Sequence, residues 1–584
     1  MRATGILAGV LALGCSTTLA AQTAPGDGAL DRLATRMVDE AIAYDPSTAY
    51  FVGVPPRDNR GWADYSAAGF ADYRARNDAL LADLKRLDPA TLSQRKRFTY
   101  AGMIERLEAE RAMRVCRLEL WDVNHMSGWH LVLSDIARDQ PLETAAQRAD
   151  ALARWSALPA VVDTQIANAR AGLAAGYSAP RAVVARVVKQ IDGIANAKPE
   201  DTPFWQLVDR SKDTAFKASM RAIIVDRLQP AFARYHGFLR DEYAPRAREA
   251  LAVSANPDGR ACYAASLRFY TTLARPPEQV FQLGQQTVSG NLATVRELGG
   301  KKFGSDALPD ILAGINQAAD NKFTSEQDQI AFSSAVVDRA RQKSAPAFAA
   351  MPVQRMEVKP FEPYLRGSGA SSYYERQIDP KKLAYYRIAS EKWQEDTRGG
   401  AEITAVHEGY PGHHMQVATA TEAAAPVDNL LINSAYSEGW ARYSEALSEE
   451  LGIYQTDYAL MTRRLWPARG MVIDPGLHVM GWTREQAIAF IRESGRWQGS
   501  DADDLIDRVA IIPGQLTAYD SGGLEIRALR QQAEAALGAC FGLPEFHARV
   551  LETGIVPLSA LRAHIEQWVA AKSCPAGAGG ERGR

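Results

Sequence analysis

The chain has 584 residues, 67 basic against 69 acidic side chains and 46% apolar residues, the composition of an ordinary globular protein. Lys and Arg are nowhere concentrated into a long block, which argues against a nucleic-acid footprint and against an electrostatic membrane anchor. The size allows one large two-lobed unit or a few domains, and the expected partner is a small molecule or a short peptide.

At the N-terminus, Arg2, an apolar run over residues 6–13 and the small residues around Thr18, Leu19 and Ala20 read as a secretory signal, residues 1–21, cleaved near Ala20 or Ala21. The run is too short to cross a bilayer, so a periplasmic or secreted protein with no stable membrane insertion after cleavage is expected. Cys15 offers lipoprotein anchoring as the alternative, although Leu13 lies one position closer to it than that signal usually has. Cleavage leaves Cys116, Cys262, Cys540 and Cys574, an even number in an oxidising compartment with three possible pairings. Cys540 with Cys574 closes the shortest loop.

Residues 22–345 read as an N-terminal helical region. Leu80, Leu81, Leu84 and Leu87, and again Val183, Val184, Val187, Val188 and Ile191, recur at steps of three and four. Breaks fall at Pro55 and Pro56, over 196–203 and over 254–259. Residues 346–574 form the second, catalytic region. It opens with Pro, Gly and aromatic residues around the chain's best strand candidate, 383–389. Helical periods return over 431–451, 484–494, 525–537 and 559–571, and the Gly-rich 575–584 reads as a disordered tail. The expected fold is mainly α, with a small sheet beside the active-site helix and two lobes around a cleft.

Three of only nine histidines fall within eight residues, beside a glutamate: His407, Glu408, His413 and His414. In the HExxH arrangement two imidazoles one helical turn apart bind zinc and the intervening Glu acts as general base. Here the second histidine is displaced. At about 100° and 1.5 Å per residue, an unbroken helix would turn His413 about 120° from His407 and leave His414 on the right face but two turns away. Pro411 breaks that helix, since it lacks an amide donor and clashes with the carbonyl of His407. Gly412 then accepts unusual backbone angles, so the next imidazole can swing back. A catalytic zinc takes a third protein ligand and leaves a fourth position open. Glu438 is expected there, with Gly439 allowing a close helix approach, and Glu445 is the rival ligand or a partner behind the ligands.

With these residues in hand, the chain resembles the bacterial family known as domain of unknown function 885, which is grouped with metallopeptidases of the HExxH type. The resemblance runs from about residue 30 to residue 571. It rests on HEGYPGHHMQ (407–416), SEGWARYSE (437–445), DPGLHVMGW (474–482), PGQLTAY (513–519) and FHARVLETGIVPLSAL (546–561). It implies a multi-helical metallopeptidase-like fold in which His407 and His413 are metal ligands, leaving His414 as the alternative. Asp474-Pro475-Gly476 departs from the usual pattern, in which a threonine commonly precedes the glycine.

The expected activity is that of an exported peptidase with one zinc per chain. Glu408 would take a proton from the attacking water and pass it to the departing amine. Tyr519 and His478 are the expected oxyanion donors. Strand 383–389 would pair with an extended substrate, Tyr385 and Tyr386 lining opposite faces. Arg442, Arg469, Arg527 and Arg530 lie in or near the motifs and favour capture of a C-terminal carboxylate, hence a carboxypeptidase or dipeptidase acting on short peptides, with Arg527 the expected substrate contact. The alternatives are a zinc hydrolase of non-peptide amides and a non-catalytic peptide-binding protein.

Overall fold

The computed structural model describes residues 24–362, 366, 371–377, 381–421, 425–497 and 499–572. The expected signal, Cys15, Cys574 and the tail lie outside the described residues. Among those described, the chain is predominantly helical with one three-stranded sheet. None of the described helices is long and apolar enough to cross a membrane.

The N-terminal helices follow from capping and periodicity. Ser66 caps Ala67–Lys85 by accepting from the Gly69 amide, and Thr144 with Gln147 closes a capping box at the start of Ala145–Ala174. The valine stripe lies on Arg181–Ala195, where Val183, Val184, Val187 and Ile191 are buried. It faces a core built around Trp121, Trp155, Phe204, Phe232 and Tyr235. A disulfide joins Cys116 to Cys262, and Cys540 is disulfide-bonded as well.

Apolar packing runs across residue 345. Val336, Val337 and Ala340 of helix Glu326–Ser344 share a core with Ala405, Val406, Trp440 and Leu447. The long helix Pro277–Phe303 lies against Asp457–Leu465 and Gly470–His478. The last of these is helical despite Pro475 and Gly476, because all nine of its residues are buried and burial outweighs local propensity.

The sheet comprises β1 (Met356–Pro360), β2 (Tyr373–Glu375) and β3 (Ala384–Ile388), in the order β1-β3-β2. β3 runs parallel to β1 and antiparallel to β2. Its alternation is that of a half-buried strand, Ala384, Tyr386 and Ile388 facing inward. Tyr386 and Ile388 rest on the same core as the helix that carries His407.

Candidate metal centre

Helix Arg398–Glu408 starts at Thr397, whose side chain accepts from the Gly400 amide, and buries Ala401, Ala405 and Val406. It ends at Glu408. The Gly409 amide still reaches Ala405 O at 2.9 Å, and after Pro411 the Gly412 amide reaches Val406 O at 3.1 Å. The Tyr410–Pro411 peptide is cis, and the next helix runs His413–Thr421. A side chain at 412 would put its Cβ 2.0 Å from the His407 carbonyl oxygen, so only glycine lets the chain double back this tightly. The His407 and His413 rings thereby meet edge to face, centroids 4.8 Å apart.

Helix Ser434–Glu450 clasps this turn. Trp440 Nε1 donates to Pro411 O at 2.8 Å and Ser444 Oγ donates to the same oxygen at 3.1 Å. On the same helix, Glu438 Oε2 lies 3.4 Å from His407 Nε2 and 3.5 Å from His413 Nε2. One donor atom from each of His407, His413 and Glu438 falls within 4.8 Å of the others. Glu438 Oε2 is buried without a hydrogen-bond partner, a costly condition for a carboxylate oxygen. Two imidazole nitrogens and a carboxylate oxygen converging on one point are the donor set of a three-ligand metal site with an open position, and these residues could hold such an ion.

Gly439 serves a different neighbour from the one its position suggests. It abuts Gly522 and Gly523 of helix Ala518–Leu537, where an added Cβ would stand 2.5 Å from Gly522 Cα. The close approach thus brings in Tyr519 and Asp520, not the His407 helix.

Glu445 stands behind the cluster. Its Oε1 accepts from His407 Nδ1 at 2.8 Å, and Arg442 Nη1 donates to both of its oxygens at 2.8 and 3.0 Å. Burial acts against the charge of the His407 imidazole, but the Glu438 and Glu445 carboxylates outweigh it and push its pKa up to about 10. Burial likewise opposes charge on Glu445, yet Arg442 and His407 hold it down to about 2. Glu438 is held far below the usual carboxylate range, its burial outweighed by His407 and His413. Glu408 is buried, which raises its pKa, against the pull of His407, His413 and the Tyr374 amide. A buried carboxyl raised in this way, next to two imidazoles, suits a role in proton transfer.

Several sequence expectations need correction. His414 is not a ligand: Tyr374 Oη donates to its Nδ1 at 3.1 Å and its Nε2 donates to Gln354 O at 3.0 Å. Glu445 lies outside the group His407, His413 and Glu438 and bonds to the far nitrogen of His407. His478 accepts from the Val253 amide at 3.0 Å and donates to Val509 O at 2.9 Å. With both nitrogens used inside the core it has no proton to offer an oxyanion. Asp474 anchors a turn, accepting from Tyr263 Oη and the Gly514 amide. β3 cannot accept a substrate strand, since β1 and β2 occupy both of its edges. Tyr386 is buried in the core, and Tyr385, on the other face, stacks under Arg387. Arg527 is exposed, about two helical turns beyond Asp520. Arg469 and Arg530 are committed to Leu465 O and to Glu450 with Glu534. Tyr519 does border the site, half-buried between Glu438 and Arg508 with the Arg442 guanidinium 5.8 Å from its ring.

Sequence reasoning assigned Arg442 to a substrate carboxylate, whereas it donates to Glu445, and it passed over Tyr374 and Arg496. The Arg442 pairing was signalled by its place three residues before Glu445, one turn along the same helix. Tyr374 lies on a three-residue strand too short to carry a pattern. Arg496 sits in the loop between helices Arg484–Arg492 and Ser500–Ile511, where periodicity says nothing.

The fold recurs in two solved structures. A candidate lipoprotein from Colwellia psychrerythraea is 22% identical with a TM-score of 0.83, the match covering 94% of this chain and 100% of that one. A candidate lipoprotein of unknown function from Shewanella oneidensis is 19% identical with a TM-score of 0.75, over 91% and 99% of the two chains. No curated protein matches the sequence. The family of bacterial proteins of unknown function DUF885 matches residues 46–565, nearly the whole chain. The protein therefore belongs to the DUF885 family.

Proposed function

We propose that the protein is an exported zinc-dependent peptidase acting on short peptides. One observation carries the reading: the buried Glu438 Oε2 faces both His407 Nε2 and His413 Nε2, with the buried Glu408 next to His407 in the chain. A site built only to retain a metal has no need of a general base at that position.

In this reading His407, His413 and Glu438 hold one zinc per chain. When bound, zinc would polarise the scissile carbonyl and acidify a water in the open position. Glu408 accepts the proton of the attacking water and returns it to the departing amine. Tyr519, kept protonated because burial raises its pKa, donates to the carbonyl oxygen as negative charge develops there. Glu445 fixes the His407 tautomer, leaving Nε2 free to ligate. Export is supported by the apolar N-terminal run and by the description of both structural neighbours as candidate lipoproteins.

The test is removal and return of the metal. Dialysis against a chelator should abolish hydrolysis of a mixed short-peptide library, read by mass spectrometry, and one equivalent of zinc should restore it. Hydrolysis that persists in protein free of metal, or none at all in protein carrying one zinc per chain, would overturn the proposal.

A further inference from the structure

Around the cluster, positively charged side chains are almost all engaged. Arg442 donates to Glu445, Arg508 to Gln515, and Arg339 to Glu402. Arg496 is the exception. Its side chain is exposed, and among the described residues its guanidinium has neither a hydrogen bond nor an ion pair.

Two aromatic rings hold it nonetheless. The guanidinium carbon lies 5.4 Å from the centre of the Trp497 ring and 6.0 Å from that of Trp466, and the two indoles meet edge to face, 5.5 Å apart. A stacked guanidinium keeps its orientation with all five N–H donors free. Trp466 and Trp497 pack on the same hydrophobic cluster as Tyr519, whose ring lies 5.8 Å from the Arg442 guanidinium, which sets Arg496 on the Tyr519 side of the metal cluster. Among the described residues no carboxylate pairs with it. Glu445 is taken by Arg442 and His407, Asp396 accepts from Gln329, and the like charge of Arg442 makes matters worse. An open cation repelled by its neighbour and held rigid by two indoles awaits an anion from outside.

We infer that Arg496 binds the C-terminal carboxylate of the peptide, making the protein specific for substrates with a free C-terminus. The inference rests on the peptidase reading for its ligand class. A planar carboxylate matches the guanidinium fork in two parallel hydrogen bonds, and the Trp466–Trp497 pair bars the lateral movement that would loosen them.

The experiment uses the full-length protein carrying Glu408→Gln and loaded with zinc, so that peptides bind uncut. A mixed-sequence tripeptide library is offered as free acids and as C-terminal amides, and bound peptide is quantified by mass spectrometry after equilibrium dialysis. Free acids should bind about 10- to 100-fold more tightly than amides, the range that a hydrogen bond to a charged group commands. Arg496→Ala in that background should erase the preference by weakening acids alone, with amide binding, zinc content and melting temperature unchanged. Arg496→Lys, keeping charge without the fork, should retain part of it. Equal binding of acids and amides, retention of neither, or a preference undiminished in Arg496→Ala would overturn the inference. Hydrolysis by protein with Glu408 intact is read separately. No products together with an acid preference would remove the peptidase reading and keep the anchor, whereas products without that preference would do the reverse.

Discussion

Glu445 Oε1 accepts a 2.8 Å hydrogen bond from His407 Nδ1 while Arg442 grips the same carboxylate from behind. The imidazole is thus held with Nε2 facing Glu438. Such outer partners typically contribute 10- to 100-fold to metal affinity. Glu445→Gln should keep the shape of the pair but remove its charge, lowering zinc affinity by about that factor in a chelator competition without changing the number of ions bound at saturation. An unchanged affinity would mean that the His407–Glu445 bond is only structural.

The paired histidines make a sharper distinction. His413→Ala should reduce bound zinc at micromolar metal to well below one per chain, because a ligand is lost. His414→Ala should leave the stoichiometry at one, since its nitrogens bond to Tyr374 and Gln354 O, and should show instead in a lower melting temperature. The reverse pattern would exchange their roles.

Close backbone contact at Gly522 yields a stability prediction. An added Cβ there would stand 1.9 Å from the carbonyl oxygen of Ala435, and a backbone atom cannot step aside as a side chain can. Gly522→Ala should cost more than about 2 kcal/mol and weaken zinc binding, because Ala435 lies one turn before Glu438. Gly193→Ala, in a helix with nothing within 4 Å of the new methyl, should instead gain up to about 1 kcal/mol. Chemical denaturation of both variants decides it, and equal effects would deny the Gly439–Gly522 contact.

Buried neutral histidines set the acid limit. Burial holds His130, His478 and His547 down to about 4, 3 and 4, against about 6.5 in an unfolded chain. The folded state therefore binds fewer protons between those values, so the stability these groups contribute is complete above about pH 6.5 and is lost as pH falls toward 4. Each shift corresponds to on the order of 3 kcal/mol. Asp474, pushed up to about 7 by burial, works in the opposite sense and offsets one of the three. Calorimetry at pH 5 should find a net uptake of protons on unfolding; a melting temperature flat from pH 7 to pH 4 would contradict the neutral assignment.

Much of this was legible in the sequence. Period gave the N-terminal helices and the strand 383–389, and the spacing from His407 to His413 with Pro411 and Gly412 between them foretold a broken helix. Helix Ala518–Leu537 begins seven residues before its readable period at 525, since Gly522 and Gly523 look like helix breakers until the glycine contact with Gly439 is seen. His478 misled because a histidine in a Gly- and Pro-containing motif suggests a loop, whereas that segment is a fully buried helix. The edges of β3 were unreadable for a different reason. Pairing with β1 and β2 is set by residues up to 28 positions away, as in Met356 with Ala384, and alternation cannot distinguish a central strand from an edge one.

The most direct test of the account is to measure zinc content and peptide products side by side for the wild type and Glu408→Gln. One zinc per chain is expected in both proteins, with products from the wild type only. Zinc in both with products from neither, or equal products from both, would contradict it.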